Sequence, residues 1–340
     1  MPDTNPSLNV LAVRFSSIGD ILLTTPLLRA IRHSYPGARI TVVTKRAYLP
    51  LLSHNPRIHR VIGLAPNGSL AGLAADLRGD RYTTLLDLHD NLRSRVLRLL
   101  VPGRWTTYPK HRLARALLVH AKRNRYRDRR PVAERYFSAA KHLRVIPDGA
   151  PPEFFIGPEA TLEAISWLRS QGLESEPGII AVAPGAAHAT KRWPVGHWRT
   201  LIDRIAGDGS PVVIAGGPDD APLAAHLADG YGSRVTSAAG VFGLQGTGAL
   251  LRRARVLVSG DTGVMHMATG VGTPVVALFG PTVEAFGFFP YSRLARVVEL
   301  PLPCRPCSTQ GGPRCPLGHH RCLVDLPAGA VYEALRQLIT

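Results

Sequence analysis

Eight short apolar, β-branched runs punctuate the sequence, and helical patterns fill the intervals between them. VLAVRF (10–15), RITVVT (39–44), RVIGL (60–64) and TTLLDLH (83–89) precede residue 145; GIIAVAP (178–184), PVVIAGG (211–217), ARVLVSG (254–260) and PVVALFG (274–280) follow residue 160. Strands this continuously apolar need cover on both faces, which parallel sheets flanked by helices provide. The expected fold class is therefore α/β, with two doubly wound, Rossmann-like domains. VIPDGAPPEFFIGPEA (145–160), with four prolines and two glycines, breaks all periodicity and reads as the linker, giving domains 1–160 and 161–340. Two such domains are expected to bind ligands in a cleft at the carboxyl ends of their sheets.

At 340 residues, 45% hydrophobic and 19% charged, the chain can build two cores. No apolar run approaches about 18 residues, and MPDTNPSLNV lacks the basic and apolar regions of a secretory leader, so the expectation is a cytoplasmic protein. The net charge of +17 is uneven: residues 1–160 carry 26 Lys+Arg against 11 Asp+Glu, and residues 161–340 carry 15 against 13. The densest run, KHRLARALLVHAKRNRYRDRR (110–130), has nine basic residues and one acid. A solvated helix face is the plain reading; anionic lipid headgroups or a phosphorylated substrate answer the charge equally well. Nucleic acid fits least, because no zinc-finger, RRM or helix-turn-helix signature accompanies the run.

In SSIGDILLTTPLLRAI (16–31) a single carboxylate, Asp20, lies just beyond the first strand. It could cap a helix. Thr25 as cap with Pro26 at the first helical position fits as well, so the helix start stays open. Either way Asp20 stands where open parallel sheets bind ligands.

In the second half, VSGDTGVMHMA (258–268) runs from a strand through Gly260-Asp261-Thr262-Gly263 into a helix bearing His266. Such a turn aims backbone N–H groups and a positive helix end at an anion and suits a diphosphate, although neither a P-loop nor a G-x-G-x-x-G spacing is present. Asp261 as a cap and His266 as a core histidine are the plain alternatives. Lys191, in KRWP (191–194), could neutralise a leaving phosphate, or with Arg192 form a surface pair. No Asp-x-Asp clamp appears, only Asp219-Asp220, so no metal is obligatory. The four cysteines, Cys304, Cys307, Cys315 and Cys322, are spaced as a tetrahedral zinc site, with His319 or His320 as substitute ligands; reduced thiols in a packed loop are the alternative.

Taken together, SSIGDILLTTP, KRWP, SGDTGVMHMA, GTPVVALFGPT and CRPCSTQGGPRCPLGHHRCL occur in an order that resembles glycosyltransferase family 9, the ADP-heptose:lipopolysaccharide heptosyltransferases, over nearly the whole chain. The resemblance implies a GT-B fold, with an acceptor domain first and a nucleotide-sugar domain second. It further implies inverting transfer of heptose from ADP-heptose to a lipid A–Kdo type acceptor at the anionic inner leaflet of the cytoplasmic membrane, with magnesium at most a stimulant. Asp20 maps onto the catalytic base and Lys191 onto the phosphate-facing lysine. Gly19, Thr190, Asp219, Phe242, Leu244, Asp261, Thr262, Gly263 and His266 map onto the donor site, with adenine near Gly240–Leu244. Ser17, Lys110, Arg112, Arg115, Lys122 and Arg123 are expected to meet the acceptor, and the last helix to pack back on the first domain. Two departures are visible: Leu23 or Thr24 stands where members often carry a histidine, and Asp219-Asp220 where a longer acid meets the ribose.

Overall fold

All eight apolar runs form strands in the computed structural model, which describes residues 8–173 and 178–339. The first seven residues, part of the stretch read for a leader, lie outside the described residues. The strands are β1 (Asn9–Val13), β2 (Arg39–Lys45), β3 (Arg60–Leu64), β4 (Thr84–Asp87), β5 (Trp105–Thr107), β6 (Ile179–Ala183), β7 (Val212–Ile214), β8 (Val235–Ser237), β9 (Ala254–Gly260), β10 (Val275–Phe279) and β11 (Ala295–Glu299). The α-helices are α1 (Ile18–Leu22), α2 (Thr25–Ser34), α3 (Leu70–Arg78), α4 (Leu92–Leu100), α5 (Arg112–Ala121), α6 (Val132–Arg135), α7 (Pro158–Ser170), α8 (Val195–Gly207), α9 (Ala221–Ala228), α10 (Leu244–Arg253), α11 (Gly263–Val271), α12 (Arg321–Val324) and α13 (Ala328–Ile339).

Every strand pairing is parallel, in two sheets of order β3-β2-β1-β4-β5 and β11-β10-β9-β6-β7-β8. The order reverses between β1 and β4 in the first sheet and between β6 and β9 in the second. Chains leave such neighbouring strands in opposite directions and so open a crevice at the strand ends. Of the central strands β6 is wholly apolar and buried, and β1 is so beyond Asn9, as a two-sided sheet requires. The three strands absent from the sequence reading, β5, β8 and β11, lie at or next to sheet edges, where residues such as Arg296 and Glu299 are tolerated.

The chain forms two compact units, residues 1–110 with 132–155 and residues 111–131 with 156–340. The division at 155/156 falls inside the proline-rich stretch, but the basic run does not stay where the sequence placed it. Residues 111–131 leave the first unit and pack with the second, because Leu118, Val119 and Tyr126 form one buried cluster with Phe286. Counted by unit, Lys+Arg against Asp+Glu is 18 against 9 in the first and 23 against 15 in the second, a near-even +9 and +8 that removes the asymmetry seen along the chain. The last helix also departs from expectation: α13 packs against α8 and β9–β11 of its own unit, burying Val331 and Leu335 in that core.

Candidate active site

Functional side chains gather at both points of strand reversal, and each is described within its own unit. In the first unit β1 is followed by Arg14, whose side chain is buried beside the aromatic pair Tyr108 and Tyr136. A buried guanidinium must be paired, and this one is. Its Nε donates to the Ser16 carbonyl (2.8 Å), Nη1 donates to the Leu88 carbonyl (2.7 Å), and Nη2 lies 2.5 Å from Asp20 Oδ1. Burial is the strongest influence and opposes the Arg14 charge, but Asp20, Tyr136 and Tyr108 together outweigh it and the group is held firmly protonated. Burial also pushes the Tyr136 phenol well up, so it stays neutral.

The helix starts differ from both alternatives: Asp20 lies inside a helix it does not open, and Thr24, not Thr25, is the cap before Pro26. The chain makes one short helix, α1, capped at Ser17, and then α2, whose cap is Thr24 with Pro26 in its first turn. Asp20 sits in the first turn of α1, where its Oδ2 accepts from Ser17 N (3.2 Å) and Ser17 Oγ (2.8 Å). The carboxylate thus caps through one oxygen and pairs with Arg14 through the other. Gly19 is buried inside α1, and Leu23 and Thr24 are buried as well, Thr24 Oγ1 donating to the Ile21 carbonyl.

His89 was not singled out from sequence. Buried Asp87 at the end of β4 accepts the His89 and Asp90 N–H groups and the Ser94 hydroxyl, which fixes the turn into α4. His89 Nδ1 in turn accepts the Phe15 N–H (3.0 Å). Burial, then Arg14, pushes the imidazole down to about 3, so it is neutral at physiological pH. A signal was present in the sequence: Arg14 and Asp87 are charges inside otherwise apolar strand runs, and charges so placed need partners.

In the second unit Lys191 follows β6, and Asp261 follows β9. Lys191 Nζ lies 2.6 Å from Asp261 Oδ2, which also accepts from Thr282 Oγ1 (2.8 Å). Thr262 is the N-cap of α11, and its hydroxyl is 3.0 Å from Ser259 Oγ; Gly263 opens the helix and His266 is buried one turn on. A side chain at Gly260 would meet the Lys191 carbonyl at 3.1 Å, so glycine there lets the two loops close on each other. The sequence motifs around Lys191, Asp261, Thr262, Gly263 and His266 therefore converge, with a free helix end beside a lysine.

Other expected residues serve elsewhere. Thr190 is buried and exchanges hydrogen bonds with Gly312, while His320 Nε2 lies 2.9 Å from the Thr190 carbonyl, so the cysteine-bearing segment is fastened to the lysine loop. Asp219 is exposed, whereas Asp220 accepts the Gly217 N–H. Phe242 is buried edge-on against Trp167, which fills its ring face with protein; Leu244 opens α10. Of the expected acceptor residues, Ser17 is bound to Asp20, and Lys110 Nζ donates to the Asp90 carbonyl in the first unit. The other four belong to the second unit. There Arg115 lies over Phe286 and Phe288, and Lys122 Nζ donates to the Val119, Cys304 and Pro306 carbonyls, so these two hold the excursion in place; Arg112 and Arg123 are exposed.

Among the described residues no three His, Cys, Asp or Glu side chains converge as a metal needs, and the four cysteines are free. Burial, followed by Cys307, pushes the Cys322 thiol up to about 11, and burial, followed by Cys315 and Cys304, raises Cys307 too.

Comparison with known proteins gives consistent results. The family model for glycosyltransferase family 9 (heptosyltransferase) matches residues 70–315. Lipooligosaccharide heptosyltransferase 2 of Haemophilus influenzae is 25% identical, covering 98% of this chain and 99% of that protein. Among solved structures, a family 9 glycosyl transferase from Veillonella parvula matches with a TM-score of 0.81 at 25% identity, over 98% of this chain and 97% of that one. The ADP-heptose LPS heptosyltransferase II of Escherichia coli matches with a TM-score of 0.75 at 26% identity, over 98% of each chain.

Proposed function

We propose, from the premise that this chain belongs to glycosyltransferase family 9 and is a glycosyltransferase, that it transfers heptose from ADP-heptose to the inner core of lipopolysaccharide with inversion at the anomeric carbon. The observation that carries the donor half is the Lys191–Asp261–Thr282 cluster at the free end of α11. When the glycosidic C–O bond breaks, the electron pair leaves with the diphosphate; the Lys191 ammonium and the first N–H groups of α11 are suited to meet that charge. The acceptor half rests on Asp20. Inversion needs a base to take the hydroxyl proton while that oxygen attacks from the face opposite the leaving group. Arg14 fixes Oδ1, which leaves Oδ2, now held by Ser17, as the oxygen that exchanges its hydrogen bond for the acceptor hydroxyl. No step in this reading runs through a metal, and added magnesium serves at most to stimulate turnover.

The relatives' names support the heptose donor and the lipopolysaccharide acceptor. The acceptor is a lipid, so the protein works at the anionic inner leaflet as a peripheral protein of the cytoplasm, with exposed Arg112 and Arg123 near headgroup phosphates; among the described residues no helix is long and apolar enough to cross a membrane. The packing of Phe242 and the exposure of Asp219 favour one second reading, a different nucleotide-activated sugar on the same machinery. Isothermal titration of ADP-heptose against UDP- and GDP-sugars separates the two. Tighter binding of a UDP- or GDP-sugar overturns the first, and mass spectrometry of core oligosaccharide from a deletion strain, showing loss of one heptose, supports it.

A further inference from the structure

The outer face of α4 in the first unit takes no part in the site or in the core. Leu92 and Leu99 are 80% and 86% exposed, and residues seven apart share one face of a helix. Ser94 and Leu97 point inward, so the orientation of α4 is fixed and the two leucines cannot turn away from solvent. Single exposed leucines are ordinary; a pair on one face set only among arginines is not. Between residues 90 and 105 there are four arginines and one acid, Asp90, which Arg95 engages at 3.0 Å. An open hollow of about 690 Å³ lies beside Leu99, walled by Asp90, Arg95, Arg98, Gly103, Arg104 and Trp105, with Arg98 3.7 Å from the buried Asp87 carboxylate. Arg104 has no carboxylate partner among the described residues. At the start of α4, Arg93 lies over the Phe15 ring, which neighbours His89.

We infer that this face of α4 docks on an anionic phospholipid surface, with Leu92 and Leu99 entering the boundary of the acyl region and Arg95, Arg98 and Arg104 on headgroup phosphates. Apolar side chains ringed by arginine on a short helix lying flat are what an anionic bilayer surface selects. A protein partner of matching charge would have to supply several carboxylates and an apolar pocket together, whereas a bilayer supplies both everywhere. The docking itself stands on this surface alone, and its use rests on the reading above, in which the acceptor is a membrane lipid.

The test is co-sedimentation of the full chain with phosphatidylglycerol–phosphatidylethanolamine vesicles and with phosphatidylcholine vesicles. Wild type is expected to bind the anionic vesicles and to keep part of that binding at high salt. The double variant Leu92→Ser, Leu99→Ser is expected to lose at least tenfold in partition, including the salt-resistant part, whereas Leu162→Ser, an exposed leucine of the second unit, changes nothing. Wild type gives an independent readout: brominated acyl chains should quench fluorescence that Trp105→Phe removes. ADP release with a water-soluble, deacylated acceptor, expected to be equal in all variants, reports the transferase reading separately. The proposal is overturned by double-variant partition within twofold of wild type, by equal binding to both vesicle types, or by quenching that Trp105→Phe leaves intact.

Discussion

Asp20→Asn separates the two roles of the carboxylate at the end of β1. For a helix cap alone Asn and Asp are near-equal, and the substitution would be almost silent. The Arg14 pair removes that equivalence. One oxygen of Asp20 lies 2.5 Å from Arg14 Nη2 and the other takes two bonds from Ser17, so an amide must either turn its NH₂ toward the guanidinium or give up the Ser17 bonds. Loss of one charge-assisted hydrogen bond costs about 1.5–3 kcal/mol, and more if Arg14 is left buried without its counter-charge. At about 2–4 °C per kcal/mol for a domain of this size, the melting midpoint should fall on the order of 5 °C for purely structural reasons. Removing a general base costs about 10²–10⁴ in rate, or roughly 3–5 kcal/mol of transition-state stabilisation. The two effects separate when kcat is measured well below the melting transition. The expected result is a folded variant with kcat reduced at least a hundredfold and KM for ADP-heptose nearly unchanged, because Asp20 belongs to the unit that does not carry Lys191. A kcat within threefold of wild type, with the midpoint lowered, would show that Asp20 serves the fold alone.

Lys191→Ala should act on both binding and turnover: losing the ammonium at the diphosphate, about 1.5–3 kcal/mol, lowers donor affinity roughly 10- to 150-fold by titration, and unchanged affinity would remove Lys191 from the donor site. Lys122→Ala gives up three carbonyl contacts and should lower the calorimetric midpoint by several degrees, about 2 kcal/mol, without changing KM for ADP-heptose; an unmoved midpoint would mean that segment 111–131 is held by the Phe286 cluster alone. His89 is held near 3 against about 6.5 unfolded, so folding excludes its proton: its contribution is complete above about pH 6.5 and is lost as pH falls toward 3. Urea midpoints should therefore drop between pH 7 and 4.5 by up to about 1 kcal/mol per pH unit, and His89→Gln should flatten that slope; an equal slope in the variant would place the effect on the carboxylates.

What the sequence determined by itself is the set of central strands and the short motifs at their ends. A strand buried on both faces must be apolar throughout, so VLAVRF, GIIAVAP and PVVALFG carry their place in the fold locally. The same holds for the turn after β9, where Thr262 stands as the cap residue ahead of an apolar helical pattern. The edge strands β5, β8 and β11 were not legible, because a strand with one free edge tolerates charge and can be three residues long. Tertiary structure alone decided the rest. Residues 111–131 look like an extension of the first domain until Leu118, Val119 and Tyr126 find Phe286, more than 150 positions on, and burial against a distant partner leaves no periodic trace in the sequence between. The spacing of the four cysteines suits a metal, but spacing along a loop does not fix side-chain direction, and among the described residues no three such side chains stand in ligating geometry. Asp20 reads as a cap in its own helix, and only the fold, by burying Arg14 at the neighbouring strand end, makes it one half of an ion pair at the point where the sheet reverses.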